Sequence, residues 1–384
     1  MNRPTSVYLD LLRFMAAATV FLGHVAGLST TGGLFWQLDS YMAEAVTIFF
    51  VLSGFVISYV TGRNENTPGT YVINRAARIY SVALPALALT FVLDTIGRAI
   101  SPAVYDPAWG TTAADRVTQF VVSVLFAGRL WNLDILPGSC FPYWSLDYEI
   151  WYYVLFGLVM FAPRRWLPFL LAATCLVTGP HILLMFPLWL LGVACHRLST
   201  RHAPGAAFGA VLCCGSAALW LGYEVVVWHT GRPFLVGTFR AEIMQDYIVG
   251  GLFAAHILGF SSFAPSCRIN LGWLVRPIRW FAGTTFSLYL FHAPIAHFLA
   301  AVSPWPTPSS WPHRIVVVGG TFVLVLALAE LTERRKEAWR RAITVLIRPL
   351  FDLRHAPAGA ARMTAPRYPA AASAMKPRPP DQSP

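Results

Sequence analysis

Arg13 and His24 lie inside the first apolar stretch of the chain, YLDLLRFMAAATVFLGHVAG. Eleven residues apart, they fall about 20° from one another on a helix and about 16 Å apart along its axis. One helical face thus carries a fixed cation and, further along, a neutral base suited to taking a proton near pH 7. Ionisable groups are costly in hydrocarbon and usually face a protein interior or a wet cavity. The pair is also readable as an arginine that snorkels to the interface and a histidine bonded to a neighbouring helix.

Four further groupings carry chemistry. Arg75 and Arg78, in NRAARIY, share a face at i and i+3, and two guanidinium groups so placed suit phosphate or pyrophosphate. Plain anchoring of positive charge at a membrane surface is the alternative. Ser53-Gly54, in FFVLSGFVIS, permits close helix approach or a local break. In YWSLDYEIWYY, Trp144, Ser145 and Glu149 open an apolar stretch, with Ser145 and Glu149 on one face. Glu149 could pair with Arg13, orient His24 or bind a hydroxylated ligand, whereas Asp147 caps the helix or meets water. Tyr289 and His292, in GTTFSLYLFHAPI, lie three residues apart on one face. Asp10 sits one turn before Arg13.

These residues need a membrane to position them. The chain of 384 residues is 56% hydrophobic and only 12% charged, with mean hydropathy +0.54. Soluble domains carry about twice that charge fraction. An all-α, polytopic transmembrane bundle follows. Apolar stretches fall near 8–28, 42–61, 79–97, 143–162, 166–178, 181–196, 206–229, 243–262, 278–301 and 313–332, which makes ten spans. Residues 117–130 are ambiguous in length, and loop charge decides their placement. With an inner N-terminus and 117–130 re-entrant or interfacial, Arg63, Arg75, Arg78, Arg164, Arg165, Arg197, Arg201, Arg268, Arg276, Arg279 and the run ERRKEAWRR all face the cytoplasm. Only Arg98, Arg116, Arg129, Arg232, Arg240 and Arg314 face outward. If 117–130 crossed, every later basic loop would be inverted.

The net charge of +11 therefore reads as topology and not as a nucleic-acid surface. Six cysteines show no paired spacing, and no metal or disulfide pattern emerges; Cys140 and Cys267 are the two that look like loop residues. The first span reads as a retained signal anchor, because Asp10 and Arg13 interrupt the apolar run of a cleavable signal. Residues 1–335 form the membrane domain, and 336–384 a basic cytoplasmic helix followed by a disordered Pro/Ala-rich tail.

In combination and in order, YLDLLR…H, FFVLSGF, RAARIY, WSLDYE and GTTFSLYLFH resemble the membrane-bound acyltransferase-3 family over residues 5–332. The family's first-span Arg and His fall on Arg13 and His24, and its paired arginines on Arg75 and Arg78. Its W-S-L-x-x-E falls on Trp144, Ser145, Leu146 and Glu149, and its late Tyr-x-x-His on Tyr289 and His292. Ser81 stands where a proline often follows the arginine pair, Thr285-Phe286 replaces a late Ser-Tyr, and Thr47 takes a position that is often acidic.

The resemblance implies transfer of an acyl group, usually acetyl, from cytoplasmic acyl-CoA to a hydroxyl of a carbohydrate or lipid-linked sugar, in the bacterial cytoplasmic membrane. It implies His24, Arg13 and Glu149 in catalysis and Arg75 and Arg78 on the CoA phosphates. Asp10, Ser53, Trp144, Ser145, Tyr289 and His292 would line the site, without a metal. Some members carry an extracytoplasmic hydrolase-like domain at the C-terminus; the short stretch after the tenth span leads us to expect none here, in which case a separate partner protein could complete the transfer. Acylation of a macrolide-like small molecule is a second reading, and export or import of a polar solute a third. Transporters often show an inverted repeat, which is not evident in this chain.

Overall fold

A computed structural model of the chain describes residues 2–110, 112–231, 243–266 and 272–351. Cys267, Arg232, Arg240, Arg268 and the expected disordered tail over 355–384 lie outside the described residues. Among those described, all regular structure is helical, as the apolar pattern implies.

Among the described residues, eight helical stretches are long and apolar enough to cross a membrane. They contain α1 (Arg3–Val25), α2 (Met42–Asn64), α3 (Pro68–Ile100), α7 (Pro180–Arg201), α8 (Ala206–Thr230), α9 (Ile243–Phe263) and α11 (Thr285–Val302). The eighth runs from α12 (Trp311–Arg314) through a π-helical turn, Ile315–Gly320, into α13 (Thr321–Leu331) and the basic α14 (Lys336–Phe351). The other two expected spans are α5 (Trp144–Phe161), whose 18 residues include Asp147 and Glu149, and α6 (Leu167–Thr178), only 12 residues long. The protein is a polytopic membrane bundle.

Two expected boundaries move. The segment expected over 117–130 is helical as α4 (Ala113–Val124), opened by a capping box between Thr112 and Asp115. Its 12 residues rise about 18 Å, well short of a bilayer core. The stretch expected over 278–301 breaks at Gly283 and Thr284. Before the break lies α10 (Gly272–Ala282), an amphipathic helix carrying Arg276 and Arg279, and α11 starts afresh at Thr285. The break is satisfied locally, because the Glu333 carboxylate accepts from the Ser287 backbone N–H (2.9 Å) and hydroxyl (3.0 Å). A carboxylate thus caps the first turn of α11, where unpaired donors and the helix dipole favour an anion.

The helices pack as α1 against α2, α10 and α11, α2 against α7 and α9, and α3 against α11 and α14. The α2–α7 approach depends on glycine. A Cβ on Gly54 would lie 1.9 Å from the Trp189 carbonyl oxygen, and one on Gly192 would lie 1.9 Å from that of Val51. The Ser-Gly pair read from the sequence is therefore a site of backbone contact, and the helix runs through it unbroken.

Candidate active site

Two cavities enter the bundle from opposite ends and meet at Val46 and Tyr289, which line both. The first, of about 640 Å³, contains His24. The second, of about 1160 Å³, contains Arg13, Arg75 and Arg78. Along α2 the lining passes from Met42, Ala43 and Val46 in the first cavity to Val46, Phe49, Ser53, Val56 and Val60 in the second. On α5, Trp144 and Tyr148 face the first, and Ser145 and Glu149 the second. The rise between Arg13 and His24 on α1 thus separates two compartments.

His24 is held in one tautomer. Its Nδ1 lies 2.8 Å from Nε2 of His292, and Nδ1 of His292 lies 2.7 Å from the Leu288 carbonyl oxygen. A carbonyl only accepts, so the His292 proton sits on Nδ1, and the neutral ring presents Nε2 as an acceptor. The His24 proton therefore sits on Nδ1 and donates to His292, which leaves Nε2 of His24 with its lone pair. The two rings stack at 5.1 Å, and Phe141 meets His24 edge-on at 4.5 Å. His292 is fully buried. A histidine with one nitrogen pinned and the other carrying its lone pair can accept a proton at a fixed position.

Glu149 is engaged elsewhere. Its Oε1 accepts from the hydroxyls of Ser53 (2.5 Å) and Tyr153, and Ser53 Oγ accepts from Trp189 Nε1 (3.2 Å). Arg13 is 3.9 Å from Asp10, one turn away on α1. Ser145 hydrogen-bonds Tyr289 at 2.7 Å, beside the junction of the cavities. Cys140, buried in the loop before α5, donates to the Leu290 carbonyl oxygen (3.2 Å), and burial pushes its thiol up to about 12. It is therefore no ready nucleophile.

The arginine cavity is lined by six cations (Arg13, Arg75, Arg78, Arg334, Lys336, Arg340) and four carboxylates (Glu65, Glu149, Glu333, Glu337). Arg75 Nη2 donates to Glu65 Oε1 at 2.6 Å, and the same carboxylate takes bonds from Asn74 and Thr61. The Arg78 and Lys336 side chains have no ion-pair or hydrogen-bond partner among the described residues.

The bundle thus gathers Arg13, Ser53, Arg75, Arg78, Ser145 and Glu149 on one cavity, and His24 and Trp144 on the other. Tyr289 lies between, His292 behind His24, and Asp10 beside Arg13. Sequence reasoning overlooked Glu65, Tyr153, Glu333, Lys336 and Arg340. For Glu65, the usable signal was a lone acidic residue in a basic loop.

The family model described as an acyltransferase domain, that of the acyltransferase-3 family, matches residues 6–330. The chain belongs to this family. Among curated relatives, this acyltransferase-3 member is 23% identical over 367 residues to the peptidoglycan O-acetyltransferase OatA of Listeria monocytogenes, covering 85% of this chain and 54% of that one. It is 28% identical over 154 residues to the acyltransferase MdmB of Streptomyces mycarofaciens, covering 38% and 37%. It is 27% identical over 135 residues to the exopolysaccharide production protein ExoZ of Rhizobium meliloti, covering 32% and 36%. The matched regions span about half or less of these relatives. No solved structure matches the chain.

Proposed function

We propose that the protein is an integral membrane O-acyltransferase that moves an acyl group, acetyl in the simplest case, from cytoplasmic acyl-CoA to a hydroxyl of an envelope or exported carbohydrate. The observation that carries this reading is the meeting of a basic cavity and a histidine cavity at Val46 and Tyr289. A donor rich in phosphate suits the first, and a neutral hydroxyl acceptor suits the second. Only the acyl carbon has to reach the junction. OatA, described as a peptidoglycan O-acetyltransferase, supports a carbohydrate acceptor. Trp144 and Tyr148 offer aromatic faces in the His24 cavity, with Asn132 and Asp134 as polar partners.

In this scheme Nε2 of His24 takes the proton of the acceptor hydroxyl as its oxygen attacks the thioester carbonyl carbon. The imidazolium that forms is held by its Nδ1–H bond to His292. Arg13, about 16 Å further back along α1, faces the donor within the arginine cavity. The carbon–sulfur bond then breaks, and CoA leaves as the thiol with the proton returned from His24. Arg75 and Arg78 hold CoA phosphates. Glu149, with Ser53 and Tyr153, shapes the wall next to Arg78.

Residues 1–335 make up the membrane domain in this reading, in the bacterial cytoplasmic membrane with both termini inside. The test is transfer of label from radiolabelled acetyl-CoA to envelope carbohydrate by membranes containing the protein, beside a His24→Ala control. Transfer by the wild type alone supports the reading. Full activity in the control overturns the role of His24, and absence of both transfer and CoA binding favours a solute transporter.

A further inference from the structure

The helix that follows the last span lies beyond residue 330, where the family match ends. It nevertheless lines the arginine cavity. Lys336 and Arg340, at i and i+4 on α14, share a face, and both border the cavity that holds Arg75 and Arg78. α14 packs on α3, the helix that carries those two arginines. Both residues are exposed, so they stand at the cavity mouth, whereas Ser145 and Tyr289 are buried at its deep end.

The cations near the mouth differ in what already binds them. Arg75 gives one of its N–H groups to Glu65, whose side chain is buried. Arg334 is paired with Glu330 and lies over the Trp280 ring at 4.5 Å. Arg340 is held by Glu337 at 2.9 Å, a pair in which both side chains are at least half exposed. Exposed pairs of this kind are weak and readily exchanged. Lys336 has no ion-pair or hydrogen-bond partner among the described residues.

We propose that α14 completes the donor site, with Lys336 and Arg340 binding the ribose 3′-phosphate of acyl-CoA. The inference rests on the acyl-CoA reading given above. CoA is a linear molecule with its thioester at one end and its phosphorylated nucleotide at the other. With the thioester at the junction of the cavities, the nucleotide is the part left at the mouth. The 3′-phosphate is its most highly charged group, and an ammonium and a guanidinium on one helix face can bind it together.

The test is titration calorimetry of the full chain in phosphatidylcholine nanodiscs, with CoA and with dephospho-CoA, which lacks the 3′-phosphate. The wild type should prefer CoA. Lys336→Ala/Arg340→Ala should bind CoA about tenfold more weakly, the range of a lost charge-assisted bond. Its affinity for dephospho-CoA should stay at the wild-type value, and Lys336→Arg/Arg340→Lys should keep the preference. A double alanine variant that still prefers CoA overturns the proposal. So does one that loses only its binding to phosphatidylglycerol vesicles, which would make lipid headgroups the ligand of α14. A wild type that binds neither nucleotide overturns the acyl-CoA reading itself, and the proposal with it.

Discussion

Ser145 and Tyr289 share a 2.7 Å hydrogen bond where the two cavities meet, joining α5 to α11. Tyr289 is 7% exposed and lines both compartments, so its ring is part of the wall between them. Truncation to Tyr289→Ala should join the cavities and admit water to the thioester. The expected outcome is release of CoA thiol from acetyl-CoA several-fold faster than wild type when no acceptor is present. Tyr289→Phe keeps the ring and should leak less. Thiol release followed by a colorimetric reagent reads the difference, and equal rates in all three proteins would remove the ring from the wall.

His292→Phe keeps an aromatic ring behind His24 but removes the acceptor for its Nδ1–H. General base catalysis contributes about 10²–10⁴-fold, and a base freed to adopt the wrong tautomer loses much of it. Transfer should fall by about 10²-fold or more with affinity for CoA unchanged. On the proposed scheme His292 acts through His24, so His24→Ala/His292→Phe should be no slower than His24→Ala alone. Additive losses would show that His292 acts independently.

Glu65 accepts three side-chain bonds and is the carboxylate paired with Arg75. Removing one partner of a buried pair costs about 3–5 kcal/mol, because a charge is left uncompensated. Glu65→Ala should therefore lower the thermal midpoint in detergent sharply. Glu65→Gln/Arg75→Gln should recover most of the stability, since both charges are gone, but not the binding of CoA. Separate scans with and without CoA distinguish the two effects.

Gly54→Ala and Gly192→Ala should each destabilise the bundle, because the added methyl meets backbone that cannot rotate away. Overpacking costs about 1–3 kcal/mol and sometimes more. Gly54 also adjoins Ser53, so its substitution should disturb the Glu149 cluster and reduce transfer. Gly62, later on the same helix, has nothing within 4 Å of its missing methyl, and Gly62→Ala should be neutral or slightly stabilising. Thermal unfolding of the three variants side by side makes the comparison.

Much of this arrangement was legible in the sequence where it depends on periodicity within one helix. The spacing of Arg13 and His24 placed them on one face at different depths, and the structure gives each its own cavity. Ser145 and Glu149 shared a face as expected, and both line the arginine cavity. What pairs across helices was not legible. Nothing local assigns His292 to His24, or Glu149 to Ser53 and Tyr153, because those contacts exist only once α1, α2, α5 and α11 have packed. The break at Gly283 and Thr284 was hidden because apolar residues continue on both sides of it, while the carboxylate that caps the new helix, Glu333, arrives from 46 residues further along the chain. Lys336 and Arg340 were hidden for another reason. A basic run after a last span resembles ordinary anchoring, and only tertiary structure shows where two of its side chains lie.

The narrow wall at Val46 also has an electrical consequence. A protein with wet cavities at both ends of its bundle would short-circuit an energised membrane if they joined, since each proton crossing 100 mV dissipates about 2.3 kcal/mol. Val46, Phe49 and Leu146 make that wall apolar apart from the bonded hydroxyls of Ser145 and Tyr289. On the proposed acyl-transfer scheme, a cell making this protein keeps its ion gradients while an acyl group is handed across the same wall.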